Sequence, residues 1–246
     1  MVSVRDGWWL ALGACLASCA PRAFVPKGVV AGPVPRRVLF IGNSYTYYRD
    51  LPQALSKLAA SASPPLAIAT DSFTKGGFSL ERHWTNRGAI KKIRQGGWDV
   101  VVLQDQSIQP ILRPENTKVY ARMLHAEVER IGARTVLFMT WARRDRPEKI
   151  GRLARTYQEL GKELRVPVAP VGRAWKLARK ERPGLDLYTD DGSHPNQHGT
   201  YLAACVFYIT LTGRDPRGLG NAGLEEVSDA DARFLQHVAW RTAGGR

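Results

Sequence analysis

The chain has 246 residues, of which 44% are hydrophobic and 24% charged, so it can bury a full core and is neither a disordered nor a fibrous polypeptide. Its 36 Lys and Arg against 22 Asp and Glu give a formal charge of +14, a bias toward anionic surfaces such as lipid headgroups, cell-wall polyanions or nucleic acid. The apolar stretch near the N-terminus, Trp8 to Ala20, is shorter than the roughly 20 residues of a spanning helix, which excludes a polytopic membrane protein.

Arg5, the apolar run Trp8 to Leu16 and then Ala17-Ser18-Cys19 follow the order of a secretory signal: charge, hydrophobic segment, small residues. Leu16-Ala17-Ser18-Cys19 resembles a bacterial lipobox, in which Cys19 becomes the lipidated first residue. Cys15 is a second candidate, and an ordinary signal peptide cut near Ala20 is the alternative. The expected organisation is a lipoprotein-type signal peptide over 1–18, a tether over 19–35 rich in Pro and Gly, and a folded body over 36–246 with a helical extension from about 216. That places the protein outside the cytoplasm, anchored in the bacterial envelope on the periplasmic side or at the cell surface. With Cys15 and Cys19 in the leader, Cys205 is the one cysteine of the body, so no internal disulfide can form there. It lies in the apolar run Tyr201 to Ile209, where cysteine acts as a small buried hydrophobe.

Val38-Leu39-Phe40-Ile41 reads as a strand buried on both faces and stopped by Gly42-Asn43-Ser44. A helix from Leu51 to Ala60 follows, then a strand from Leu66 to Phe73, a helix from Ser79 to Arg94 and a strand over Val100 to Leu103. The alternation continues with a helix from Asn116 to Ile131, a strand from Thr135 to Thr140, a helix from Pro147 to Leu164 and a short strand from Val166 to Ala169. Helices around Ala174 to Lys180 and from Gly199 to Leu211 complete the pattern. In the looser tail, Ser228-Asp229-Ala230-Asp231 can cap a helix carrying Phe234, Leu235, Val238 and Ala239 on one face. Such alternation predicts a parallel sheet with helices on both faces, and ligands bind outside the carboxyl ends of its strands.

Ser44 directly follows the first strand and precedes a helix, a place from which a hydroxyl can reach the crevice. A serine hydroxyl is a weak nucleophile until a neighbouring base takes its proton. Of the five histidines, His194 stands in Asp190-Asp191-Gly192-Ser193-His194-Pro195-Asn196, where Asp191 can fold back onto the imidazole and leave Nε2 to act as base. The alternative is a surface turn whose Asp and Ser cap the helix that begins near Asn196. His194 and His198 have the four-residue spacing of helical metal ligands, but no matching third ligand follows, so no metal is expected.

Val38 to Thr46, followed by Asp191-x-x-His194-Pro195-Asn196 about 150 residues beyond Ser44, resembles the SGNH (GDSL-like) hydrolase superfamily over Arg36 to Gly213. The resemblance implies an α/β, flavodoxin-like, three-layer α/β/α fold with a parallel central sheet of about five strands. It also implies serine ester hydrolysis without a cofactor: Ser44 as nucleophile, His194 as general base and acid, Asp191 orienting His194. An oxyanion hole would be formed by the N–H groups of Ser44 and Gly77, with Gly76 as fallback, and by the side chain of Gln106. Here the chain departs from the family: Gln104-Asp105-Gln106-Ser107 stands where many members have Gly-x-Asn-Asp, and Gln104 is a rival donor. The string Leu-Gln-Asp-Gln-Ser and the ending Asp-Gly-Ser-His-Pro-Asn are similar to a mostly bacterial branch of undefined substrate.

The expected substrate is a small-molecule or glycan ester, with O-acetyl on a cell-envelope carbohydrate foremost and a lipase or thioesterase activity as the variant. A catalytically silent envelope-anchored binding protein on the same fold is the competing reading. His83-Trp84 and Trp141 follow strand ends and can line the cleft or simply pack, while Tyr188 is expected beneath the His194 loop. The clusters Lys91-Lys92-x-Arg94, Arg143-Arg144-x-Arg146 and Arg179-Lys180-x-Arg182 are solvated faces or sites of adhesion to an anionic membrane or cell wall. No nucleic-acid module is present, and no nucleic-acid partner is expected.

Overall fold

The computed structural model describes residues 29–30 and 32–244. The signal peptide, Cys15 and Cys19 lie outside the described residues. Five strands, β1 (Arg37–Gly42), β2 (Ala69–Thr74), β3 (Val100–Leu103), β4 (Arg134–Phe138) and β5 (Val168–Ala169), form one all-parallel sheet in the order β2-β1-β3-β4-β5. The strand order reverses direction at β1, so a crevice opens between the carboxyl ends of β1 and β3.

Alternation along each strand divides the core in two. Val38, Phe40, Val100, Val102, Val136 and Phe138 face one layer, made by helices α2 (Leu51–Ala60), α8 (Val171–Glu181), α9 (Gln197–Thr212) and α10 (Asp229–Ala243). Leu39, Ile41, Val101, Leu103 and Leu137 face the other, made by α3 (Leu80–Thr85), α4 (Gly88–Arg94), α6 (Pro114–Arg130) and α7 (Ile150–Leu164). Burial on both faces explains why these strands read as unbroken apolar runs, and each fully buried Val, Leu or Phe contributes about 1.5–3 kcal/mol. The three-layer architecture is the one expected.

Several boundaries differ from the sequence reading for local reasons. The helix expected over Ser79 to Arg94 is two helices, because Asn86 ends the first and Arg87 adopts a left-handed φ of 63°. Pro147–Lys149 forms a 3-10 turn before α7. Two short helices were not foreseen: α1 (Ser44–Tyr47) and α5 (Gln109–Leu112).

Helix α9 is buried almost all round because α2 and α10 cover what the sheet does not. The tail beyond Pro216 is accordingly part of the core rather than a loose extension. Leu235, Val238 and Ala239 are buried, and Gln236 is satisfied by donating to Tyr201 Oη at 2.7 Å and to the Leu219 carbonyl at 2.7 Å. The last residues of the expected tether are also docked: Val30 is buried, and its N–H donates to the Thr210 carbonyl at 2.8 Å. Cys205 is fully buried on α9, and burial pushes its thiol pKa far up, which suits a packing role and not a nucleophile. Among the described residues no helix is long and apolar enough to cross a membrane.

Candidate active site

The crevice residues come from three strand ends and one loop. At the end of β1, Asn43 has an extended backbone and caps α1, its Oδ1 accepting from the Tyr45 N–H at 3.1 Å. Ser44 is therefore the first residue of α1. Asn43 also donates through Nδ2 to the Phe78 carbonyl at 2.9 Å, tying the serine turn to the loop after β2.

That loop is a tight turn closed by the Phe78 N–H donating to the Lys75 carbonyl at 3.1 Å. Gly77 sits in it at φ +67°, a conformation that favours glycine, and no atom lies within 4 Å of where a Cβ would be. No hydrogen bond among the described residues engages the N–H of Ser44 or of Gly77. Both remain available to an incoming oxygen.

After β3, the two glutamines do different work. Gln104 is fully buried, its Oε1 accepting from the Asn43 N–H at 2.9 Å and from Thr46 Oγ1 at 3.0 Å. Its Nε2 donates to Asn43 Oδ1 at 2.9 Å and to the Asp105 carbonyl. Both ends of the amide are committed, so Gln104 is the scaffold of the serine turn and not a donor to substrate. Gly42 fits this network: a Cβ there would lie 2.5 Å from Gln104 Oε1 and 2.7 Å from Thr46 Oγ1. Gln106 is half-buried; its Oε1 accepts from the Ile108 N–H at 2.9 Å, which leaves Nε2 as its available donor. Asp105 is buried and accepts from the Leu80 N–H at 2.9 Å, the Gln106 N–H at 2.7 Å and the Thr117 hydroxyl. Burial raises its pKa against the opposing pull of those bonds.

The histidine loop is a closed turn, with Tyr188 bridging to Pro195 and the Thr189 N–H donating to the His194 carbonyl at 2.9 Å. Its carboxylate serves two ends at once. Asp191 Oδ1 accepts from the N–H groups of Ser193 at 2.8 Å and His194 at 2.9 Å and from Thr189 Oγ1 at 2.8 Å, while Oδ2 bonds His194 Nδ1. Burial would raise the Asp191 pKa, but the bonds from the His194 ring and backbone, Ser193 and Thr189 outweigh it and hold the carboxyl well below the usual range. His194 Nε2 lies 2.8 Å from Ser44 Oγ. The structure thus brings Ser44, His194 and Asp191 into one hydrogen-bonded series. Helix α9 is capped by Asn196 instead, whose Oδ1 accepts from the Gly199 N–H at 3.0 Å.

Aromatic rings hold this series in place, and of these the sequence reading did not single out Tyr45, Tyr48 or Trp175. Tyr48 stacks on the His194 ring with centroids 4.7 Å apart, and Tyr45 meets it edge-on at 5.7 Å. Tyr45 Oη also bonds Ser193 Oγ at 2.7 Å. Behind Tyr45 stand Trp141, stacked at 4.5 Å, and Trp175, stacked on Trp141 at 4.0 Å. Trp141 is buried and donates to the Ser193 carbonyl at 3.0 Å, so it braces the loop. Tyr188 packs beneath, donating to the Ala142 carbonyl at 2.7 Å. The signal that could have found Tyr45 and Tyr48 is their position one and four residues after Ser44, on the first turn that carries it.

His83 and Trp84 likewise belong to the scaffold. His83 is fully buried between Phe73 and Phe78, with Nε2 2.8 Å from the Gly42 carbonyl. Burial lowers its pKa from 6.5 to about 4, opposed by the Gly42 bond and helped by Lys75. Between those two values the unfolded chain takes up a proton that the folded chain refuses, so stability is full above pH 6.5 and falls as the pH drops toward 4. His83→Gln is expected to remove about 3 kcal/mol of that fall relative to the unsubstituted chain, measured by urea denaturation at pH 7 and pH 4. An unchanged difference between the two pH values would show that His83 titrates normally. His198 turns away from the site to Asp231, with Nε2 3.3 Å from Oδ2.

No family model matches the chain, and no curated protein matches it. Solved structures do. A protein of Slackia heliotrinireducens, provisionally described as an SGNH hydrolase, is 26% identical with a TM-score of 0.60, over 71% of this chain and 97% of its own. A DUF4886 family protein from Bacteroides uniformis is 21% identical with a TM-score of 0.69, over 84% and 93% of the two chains. The acetylxylan esterase Axe2 of Geobacillus stearothermophilus is 16% identical with a TM-score of 0.59, over 72% and 94%. The chain has the SGNH hydrolase-like fold.

Proposed function

We propose that the protein is a serine ester hydrolase that removes O-acyl groups, acetyl foremost, from a carbohydrate or cell-envelope glycan. The observation that carries this reading is the series Ser44 Oγ, His194 Nε2, His194 Nδ1, Asp191 Oδ2 at the switch point of the sheet. Its fold neighbours include an acetylxylan esterase, which agrees with ester hydrolysis.

In the reaction, Ser44 Oγ attacks the acyl carbonyl as His194 Nε2 takes its proton. Asp191 holds the tautomer with hydrogen on Nδ1 and stabilises the imidazolium that forms. The carbonyl oxygen becomes an oxyanion met by the N–H groups of Ser44 and Gly77 and by Gln106 Nε2. His194 returns its proton to the departing alcohol, then activates a water that releases the acid and frees Ser44. Every step uses groups of the chain itself, so no cofactor enters. Tyr47 is 44% exposed on the helical turn that carries Ser44, and its face suits stacking on a sugar ring. The export signal and Cys19 would place this chemistry in the bacterial envelope, where a charge of +14 favours an anionic membrane or cell-wall surface.

Hydrolysis of p-nitrophenyl acetate, butyrate and octanoate tests the reading, with acetate expected to be turned over fastest; a maximum at octanoate would make the enzyme a lipase or thioesterase. Gln106→Ala is expected to lower kcat on the acetate by about 10²–10³, the effect of losing one oxyanion donor. A kcat within twofold of the unsubstituted protein would remove Gln106 from the oxyanion hole.

A further inference from the structure

Next to the nucleophile lies a second feature that ester hydrolysis alone does not use. Trp141, the ring stacked on Tyr45, forms one wall of a hollow of about 130 Å³ between the loops that follow β3 and β4. Its floor is apolar, with Ile108, Ile111 and Leu112, and Leu112 is 65% exposed, a large apolar side chain left in water. Its rim is cationic: Arg143, Arg146 and Lys149.

The rim charges are poorly neutralised. Among the described residues, Arg146 and Lys149 have as carboxylate partners only their sequence neighbours Asp145 and Glu148, at 3.7 Å and 3.8 Å, and such exposed pairs contribute little. Arg143 has no carboxylate partner among the described residues; its guanidinium donates to Ser107 Oγ at 3.4 Å and faces the Tyr45 hydroxyl. Ser107 also faces that hydroxyl, which in turn bonds Ser193, the residue before His194. One tyrosine therefore separates the cationic hollow from the reacting atoms. A guanidinium presents paired N–H donors that match a carboxylate, and apolar surface below it matches a short hydrocarbon or sugar segment.

We infer that this hollow is a specificity subsite, and that the ester positioned at Ser44 carries a carboxylate bound by Arg143 at the end of a short apolar segment. The inference rests on the hydrolase reading above and narrows its substrate class to acidic esters. The carboxylate can belong to the alcohol side, as in an acidic sugar, or to the acyl side, as in the half-ester of a dicarboxylic acid.

Two pairs of esters separate these sources on the full-length chain. The alcohol-side pair is 4-acetoxybenzoate against its methyl ester; the acyl-side pair is mono-4-nitrophenyl glutarate against its methyl ester. The expected result is a kcat/KM at least tenfold higher for the charged member of one pair, and that pair names the side. Arg143→Gln should bring the preference to within twofold, and Arg143→Lys should retain part of it. Should Arg143→Gln fail to fold, the double variant Arg146→Gln/Lys149→Gln is expected to reduce the preference on its own. Lys91→Gln, which removes an equal charge from the exposed face of α4, should leave the preference intact. The inference is overturned by equal rates within both pairs, by a preference that survives Arg143→Gln, or by the same loss in Lys91→Gln. If no ester is hydrolysed at all, the hydrolase reading has failed separately. Calorimetric binding of 4-hydroxybenzoate and monomethyl glutarate to the unsubstituted and Arg143→Gln proteins then decides the subsite, and binding that ignores Arg143 overturns it.

Discussion

Ser44→Ala is expected to lower kcat for p-nitrophenyl acetate by a factor on the order of 10⁴–10⁶ while leaving the fold and its stability nearly unchanged. The size of the effect follows from removing the atom that forms the covalent bond, so that only the oxyanion donors and bound orientation remain. Retention of the fold follows from the local structure. Asn43, not Ser44, caps α1, and the amide network joining Asn43, Thr46 and Gln104 does not include the serine hydroxyl. A circular-dichroism melting curve that overlays the unsubstituted one, together with lost turnover, is the expected pair of results. Residual activity equal to the unsubstituted rate would move the nucleophile elsewhere.

Asp191→Asn is expected to cost about 10⁴ in kcat at neutral pH with little change in KM. Oδ1 accepts three hydrogen bonds, from Ser193 N–H, His194 N–H and Thr189 Oγ1, so the asparagine carbonyl will take that position and keep the turn closed. Its NH2 group then faces His194 Nδ1 and donates to it, which forces hydrogen onto Nε2. In that tautomer Nε2 has no lone pair for the Ser44 proton, although the ring sits where it did. The substitution thus separates the proton bookkeeping of the site from its shape, and a loss below tenfold would show that Asp191 only closes the loop.

Much of this arrangement was legible in the chain because it is local. Val38 to Ile41 and Val100 to Leu103 announce buried parallel strands through unbroken apolar runs, and the turn after the first of them exposes Ser44 by position alone. Asp191 and His194 are three residues apart in a turn-forming sequence, so their contact needs no long-range information. The two glutamines were not separable in this way. Gln104 and Gln106 have the same chemistry and sit two residues apart, and only the meeting of β1 with β3 shows that Gln104 faces Asn43 and Thr46. The break at Arg87 was equally hidden, since arginine is a good helix former and carries no signal for a left-handed φ. The aromatic stack Tyr45, Trp141 and Trp175 joins α1, the loop after β4 and α8, three segments far apart in sequence. Packing of α10 onto α9 also depends on the nearly all-round apolar surface of α9, which a periodicity argument reads only as burial and not as a partner.

Labelling with a fluorophosphonate tests the central claim most directly, because the reagent phosphonylates a serine only where a neighbouring base activates it. The account predicts one adduct per chain, located on Ser44 by peptide mass spectrometry and absent from both Ser44→Ala and His194→Ala. No adduct on a folded protein, or an adduct on another serine, would contradict it and return the molecule to the reading of a binding protein on a hydrolase fold.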